Sequence, residues 1–193
     1  MTFTKGHKPG FLTALLFLLP TPAKANEFEL VSGLTQILAK GFNLEGAYKT
    51  EHMVFDYSHG YHLDVTNQAR SKKEEEAKMK ILVRNSTGGG VGYRLTPSIH
   101  LNAELKRHFF EISRPGFEMV KYHTTTAGLG LYYTWKPFQN YGFIIVPAFR
   151  YWPTVSNNLG SDGSYTYSDG LKIDYKETGI KGFTANIKLG WQF

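Results

Sequence analysis

Cysteine is absent from all 193 residues. Its absence excludes a disulfide scaffold and a thiolate metal centre, and it is compatible with an oxidising compartment. After residue 25 no apolar run approaches the roughly 20 residues that a transmembrane helix needs. If the chain enters a membrane, only a closed barrel can satisfy its backbone hydrogen bonds there. A strong charge imbalance is also missing. The formal net charge is +6, and Lys5, Lys8 and Lys24 near the amino end account for half of it. What remains is too mild to point to nucleic acid, although it suits a surface facing an anionic lipid headgroup layer. Gly88-Gly89-Gly90 is followed by neither a helix nor Lys with Ser or Thr, so it lacks what phosphate cradling requires and is read as small residues on a crowded strand.

At the amino end, Lys5, His7 and Lys8 precede the apolar run Phe11 to Leu19, and Pro20, Pro22 and Ala23-Lys24-Ala25 follow it. This is the three-part order of a secretory signal peptide, with cleavage before Asn26. The expected organisation is a signal peptide over 1–25 and one domain over 26–193.

What the sequence has in quantity is alternation. Phe183, Ala185, Ile187, Leu189, Trp191 and Phe193 alternate with Thr184, Asn186, Lys188, Gly190 and Gln192, a period of two that predicts a strand with one apolar and one polar face. The same pattern places Ile99, Leu101, Ala103 and Leu105 opposite His100, Asn102, Glu104, Lys106 and His108. It recurs over 42–49, 88–95, 124–135 and 143–151, with Pro147 expected to weaken pairing locally. Over 28–38 the apolar residues fit both a first strand and a short amphipathic helix on the inner interface, and periodicity leaves the two open. Turns are expected at 56–60, 96–97 and 136–141. The charged stretch 70–80 is read as a solvated loop, and the Ser-, Asp- and Gly-rich stretch 154–182 as a long external loop or hairpin.

A final strand that ends on a terminal Phe, Phe183 to Phe193, resembles the C-terminal strand of bacterial outer-membrane β-barrels. The resemblance implies an all-β, closed antiparallel up-and-down transmembrane barrel of about eight strands, expected near 28–38, 42–54, 60–69, 85–95, 98–112, 123–135, 141–153 and 181–193. It also implies a location in the bacterial outer membrane and assembly through the strand ending at Phe193. Strand length agrees: Phe183 to Phe193 covers about 33 Å, which at a tilt near 45° crosses about 23 Å of a roughly 25 Å apolar band. Aromatics gather at the two expected interfaces, Tyr93, Trp135, Phe138, Tyr141, Trp191 and Phe193 on the inner side and Phe109, Tyr151, Trp152 and Phe183 on the outer.

With apolar faces toward lipid, Glu45, Lys49, His62, Asp64, Arg94, His100, Glu104, Lys106, His108, Arg150 and Lys188 point inward. An interior of eight strands is only wide enough to be filled by side chains, so these are expected to pair and close the lumen rather than line a pore. The family implies a non-enzymatic structural or surface-interaction role. Its partners would be membrane lipid and lipopolysaccharide, the assembly machinery, and host or protein ligands at loops 70–84, 113–122 and 154–180. Arg107 is placed at the level of lipopolysaccharide phosphates.

No catalytic, cofactor-binding or metal residue is assigned. His100, Glu104 and His108 are about 13 Å apart per step on an extended strand, too far for one ion. Asp162, Asp169 and Asp174 fit turn chemistry. The rival readings are an enzyme acting on lipid A, a deacylase or an acyltransferase, and a narrow channel. His123 and Thr125 form an H-x-T pair similar to the H-x-S pair of outer-membrane lipid A deacylases, with Thr in place of Ser and only Glu177 as an acid further along.

Overall fold

The computed structural model describes residues 26–138, 141–177 and 179–193. The proposed signal peptide over 1–25 lies outside the described residues. Eight strands form the wall: β1 (Glu27–Gly33), β2 (Phe42–Lys49), β3 (Met53–Asp64), β4 (Lys80–Arg94), β5 (Ile99–Ser113), β6 (Val120–Tyr133), β7 (Phe143–Tyr151) and β11 (Phe183–Gln192). Each pairs antiparallel with its neighbours. The ring closes because β1 pairs with both β2 and β11 while β5 pairs with β6. At the seam the chain ends meet: Phe193 N–H donates to the Phe28 carbonyl at 2.8 Å and Phe28 N–H to the Phe193 carbonyl at 3.2 Å.

Alternation decides the two faces of this wall. On β5 the even-numbered residues His100 to Ile112 are all buried, and Leu101 and Leu105 are exposed. On β11, Asn186 and Lys188 are buried while Phe183, Ile187 and Trp191 are exposed, as is Phe193 just beyond it. The outside is therefore apolar and the inside mostly polar, apart from a small cluster of Val31, Tyr132, Ile144, Val146 and Ala148, and this is the pattern a lipid solvent requires. Gly88, Gly90 and Gly92 face inward on β4. A side chain on any of them would collide with Lys106, Glu104 or Asn102 of β5, which accounts for the glycine run.

The sequence expectation misplaced the first turn. Asp56 to Gly60 lies inside β3, paired with β2 and β4, and the real turn is Thr50 to His52, closed by Thr50 N–H donating to the Met53 carbonyl at 2.8 Å. Turn-forming residue types at 56–60 are a consequence of the inward face, where Asp56, Ser58 and Gly60 stand. Over 28–38 the structure contains both alternatives. β1 ends at Gly33 and a short helix, α1 (Leu34–Leu38), follows at the level of the middle of β11 rather than at the inner interface.

The outer half is taller on one side. β4 and β5 have 15 residues each. That is about 47 Å of strand, or roughly 33 Å after a 45° tilt, more than the apolar band needs. The surplus continues above the membrane as a packed cap. It includes α2 (Thr66–Ala69), α3 (Lys72–Glu76), β8 (Thr154–Asn157), which prolongs β7 beyond Pro153 against β6, and the hairpin β9 (Ser164–Thr166) and β10 (Lys172–Asp174). Its core holds Ile81, Phe110, Ile112, Leu159, Tyr167 and Ile173, all at most 3% exposed.

Residues 70–80 are thus no solvated loop. Ser71 and Glu74 form a reciprocal capping box that starts α3, and Glu74 is buried. A box satisfies two orphan backbone donors, which stabilises a helix more than the exposed i,i+4 pairs do. Residues 113–122 shrink to a short connection over 114–119, because β5 and β6 extend into the cap. The long stretch 154–182 carries the hairpin that its turn residues predict.

Candidate functional site

Three layers can be distinguished inside the barrel. At the inner mouth, Arg94 Nη2 donates to Glu27 Oε2 and to the Pro97 carbonyl, both at 3.0 Å, and Nη1 donates to the Thr50 carbonyl at 2.9 Å. One guanidinium thereby joins β1 to two inner turns. Beside it Lys49 Nζ donates to Glu29 Oε1 at 2.7 Å and Thr134 Oγ1 at 3.0 Å, while Thr134 and Gln192 both donate to the same Glu29 oxygen at 3.2 Å.

The middle layer is also cross-linked, although Glu45 Oε2, Asp56 Oδ1, Asn102 Oδ1 and Glu104 Oε2 have no hydrogen-bond partner among the described residues. Lys188 pairs with Glu45 and lies 4.4 Å above the Tyr132 ring; Tyr132 donates to Glu104; His100 stacks on Tyr132 at 4.8 Å; Asn102 donates to Asp56. Buried charges persist only when partnered in this way.

The outer layer differs. His108 is held by Ser86 at 2.9 Å and Thr126 at 3.1 Å. Arg150 lies 4.0 Å and Lys106 4.5 Å from the Trp152 ring centre. Lys106 has Glu104 at 3.7 Å, but among the described residues no carboxylate pairs with Arg150, and its buried Nε has no acceptor. These groups border a cavity of about 410 Å³ beneath the cap.

The predicted inward residues Glu45, Lys49, Arg94, His100, Glu104, Lys106, His108, Arg150 and Lys188 are all buried in the lumen. His62 and Asp64 are not. His62 has φ +56° and interrupts the β3 ladder, so the alternation changes phase and both side chains are exposed. The sequence reading missed Glu27, Glu29 and Asp56. Glu27 and Glu29 alternate with Phe28 and Leu30, a signal masked by the helical spacing of the residues after them.

His100, Glu104 and His108 each take partners on other strands, and among the described residues no three His, Cys, Asp or Glu side chains are placed to hold one metal ion. Asp169 accepts a fork from Arg114 at 2.9 and 2.6 Å, which holds its carboxyl below the usual range. Asp162 accepts from Ser164 and Lys172, which lower it to about 2. His123 and Thr125 sit on the outward face of β6, whereas Glu177 borders the lumen cavity, so the structure does not unite the H-x-T pair with that acid.

A second feature lies on the outside of the same strands. Arg107 Nη2 donates to His123 Nε2 at 3.0 Å. Arg84, Phe109, Lys121 and His123 line a shallow recess of about 300 Å³ below the cap. Lys121 reaches Glu111 at 3.6 Å. This gives a cationic ledge flanked by the Phe109 ring, at the outer rim of the lipid-facing surface.

A closed antiparallel barrel of eight strands, apolar outside and ionic within, is a transmembrane β-barrel of the bacterial outer-membrane type. No family model matches the sequence, and no curated protein does. Among solved structures the chain is similar to Ail, the attachment invasion locus protein of Yersinia pestis. There the identity is 15%, the alignment covers 88% of this chain and 100% of that one, and the TM-score is 0.48. The complex of Ail with the heparin analogue sucrose octasulfate aligns with the same coverage at 14% identity and a TM-score of 0.48. A major outer membrane protein from Thermus thermophilus aligns at 12% identity, with 88% and 100% coverage and a TM-score of 0.44.

Proposed function

We propose that this barrel serves as a surface-interaction protein. Its working parts are the packed outer cap and the cationic ledge beneath it, and its lumen is closed to ions by the two inner layers. The observation that carries this reading is the coincidence of cap and ledge on β4 to β6. The strands that bury Phe110 and Ile112 also carry Arg84, Lys121 and His123 around one outward recess, with Arg107 hydrogen-bonded to His123. An ordered cap offers a fixed face to a partner and spares it the entropy of ordering a loop. The ledge matches the phosphates of lipopolysaccharide, with arginine supplying planar, always-charged donors. Residues 1–25 serve as the export signal. The strand ending at Phe193, which closes the ring on β1, serves as the recognition element for the assembly machinery.

The test uses the full-length mature barrel in a non-ionic detergent. Lipopolysaccharide is titrated against it, and the temperature at which the fast-migrating, unboiled band disappears is followed. Lipopolysaccharide raises that temperature for the parent, and Arg107→Gln weakens the apparent affinity by about fivefold, the effect of one cation near an anionic surface. An identical response from Arg107→Gln and from an Arg84→Gln, Arg107→Gln double variant overturns the ledge as a lipopolysaccharide site.

A further inference from the structure

The barrel wall has a gap on one side. β1 ends at Gly33, opposite Lys188, so Phe183 to Ile187 of β11 pair with β7 on one edge and have no strand on the other. Across the gap, Phe42 to Leu44 of β2 pair only with β3. Helix α1 occupies the space, and its hold on β11 consists of side chains. Thr35 Oγ1 donates to Asn186 Oδ1 at 2.9 Å, and Asn186 Nδ2 donates to Gln36 Oε1 at 3.1 Å.

Two hollows meet at this latch. Outside is an apolar groove of about 610 Å³ bordered by Leu34, Leu38, Pro147, Phe149 and Ile187 at the lipid-facing surface. Inside is the outer lumen cavity of about 410 Å³, with Arg150, Lys106 and Trp152. Thr35, Ala185 and Asn186 border both. A strand wall would separate lipid from lumen with a continuous ladder of backbone hydrogen bonds. Here two side-chain hydrogen bonds do so, and such bonds each contribute only about 1 kcal/mol net.

Charge defines the occupant. Arg150 is 4% exposed and faces the cavity; Glu177 lines the same cavity, but among the described residues no carboxylate lies within ion-pair distance of Arg150. A cation so placed, next to a second one on the same aromatic ring, is completed by an anion that can accept a fork of hydrogen bonds. An occupant whose head reaches Arg150 through the latch would leave its remainder in the outer groove, where only an alkyl chain is at ease.

We infer that the gap beside α1 is a lateral entrance through which a single-chain fatty acid binds across the wall. Its carboxylate sits at Arg150 and Lys106, and its alkyl chain lies in the groove between α1, β7 and β11. Gln68 and Ala69 of the cap border the inner hollow, but the site is separate from the ledge and does not depend on a surface-interaction role.

The test uses a Trp135→Phe, Trp191→Phe background of the whole mature barrel, which leaves Trp152 as its single tryptophan. Emission is followed while 2-bromohexadecanoate is added in a non-ionic detergent, the bromine beside the carboxylate serving as a contact quencher. Saturable quenching is expected with the acid. With 2-bromohexadecanol, of the same length but uncharged, only the non-saturating quenching of simple partition is expected. Arg150→Met weakens the saturable phase at least about tenfold, as loss of a hydrogen-bonded charge does, while Asn186→Ala speeds its onset by opening the latch. Fast migration of unboiled samples verifies that each variant is folded, and Lys106→Met replaces Arg150→Met if that variant is not. Quenching that does not saturate, that is equal for acid and alcohol, or that is unchanged in the folded cation variant overturns the inference.

Discussion

Replacing Lys49 by Met tests whether the inner lumen is a dry ionic network. The ammonium is 1% exposed and 2.7 Å from a Glu29 oxygen. At an effective dielectric constant near 20, two unit charges at that distance attract by about 6 kcal/mol before desolvation is subtracted. The variant keeps the alkyl stem and removes the charge, leaving Glu29 with donors from Thr134 and Gln192 only. Breaking a buried pair from one side costs about 3–5 kcal/mol, because the remaining charge is still buried. Adding Glu29→Gln removes that stranded charge, so the double variant recovers most of the loss. The assay is urea unfolding of the barrel in lipid vesicles, followed by the fast-to-slow mobility shift. If Lys49→Met loses less than about 1 kcal/mol, or if the double variant is no more stable than the single, the lumen is hydrated at that level. The closed interior then fails.

Truncating Phe110 to Ala removes a side chain that is 2% exposed and stacks on Tyr122 at 5.1 Å. It is expected to cost the cap about 3–5 kcal/mol, seen as faster proteolysis near Arg114 with the fast-migrating barrel band intact. Acid is expected to loosen the β9–β10 hairpin. Asp162 is lowered to about 2 and Asp169 is lowered by Arg114, so their contribution is complete above the ordinary carboxylate value near 4 and is lost as pH falls toward 2. Amide exchange at Ser164 and Leu171 should rise across that window, and Asp162→Asn should remove the dependence at Ser164. An equal rise in the Asn variant would trace the loosening to another group.

Much of the barrel was legible because lipid imposes a strict period of two. A residue on a spanning strand faces hydrocarbon or lumen, and the two tolerate opposite chemistry, so Leu101 beside Asn102 and Trp191 beside Gln192 already state the orientation. Failures fall where that constraint lapses. His62 adopts a positive φ, shifting the phase for itself and Asp64. Asp56 to Gly60 has turn composition because its inward side is polar and crowded. Residues 72–76 form a helix because Ser71 and Glu74 cap each other and Glu74 meets Lys176 at 2.5 Å, a partner 102 positions away.

By itself the sequence determined the architecture and most of the inward and outward assignments, since these follow from local alternation in a solvent that penalises every unpaired backbone group. Only the tertiary structure decided which charges pair, that the surplus length of β4 and β5 folds into a cap, and that β1 stops halfway up the wall. Pairing, packing and ring closure are relations between residues far apart in the chain. The short β1 is recognisable only against the β11 it leaves uncovered, and the lack of a carboxylate within ion-pair distance of Arg150 among the described residues only against the partners the other carboxylates take.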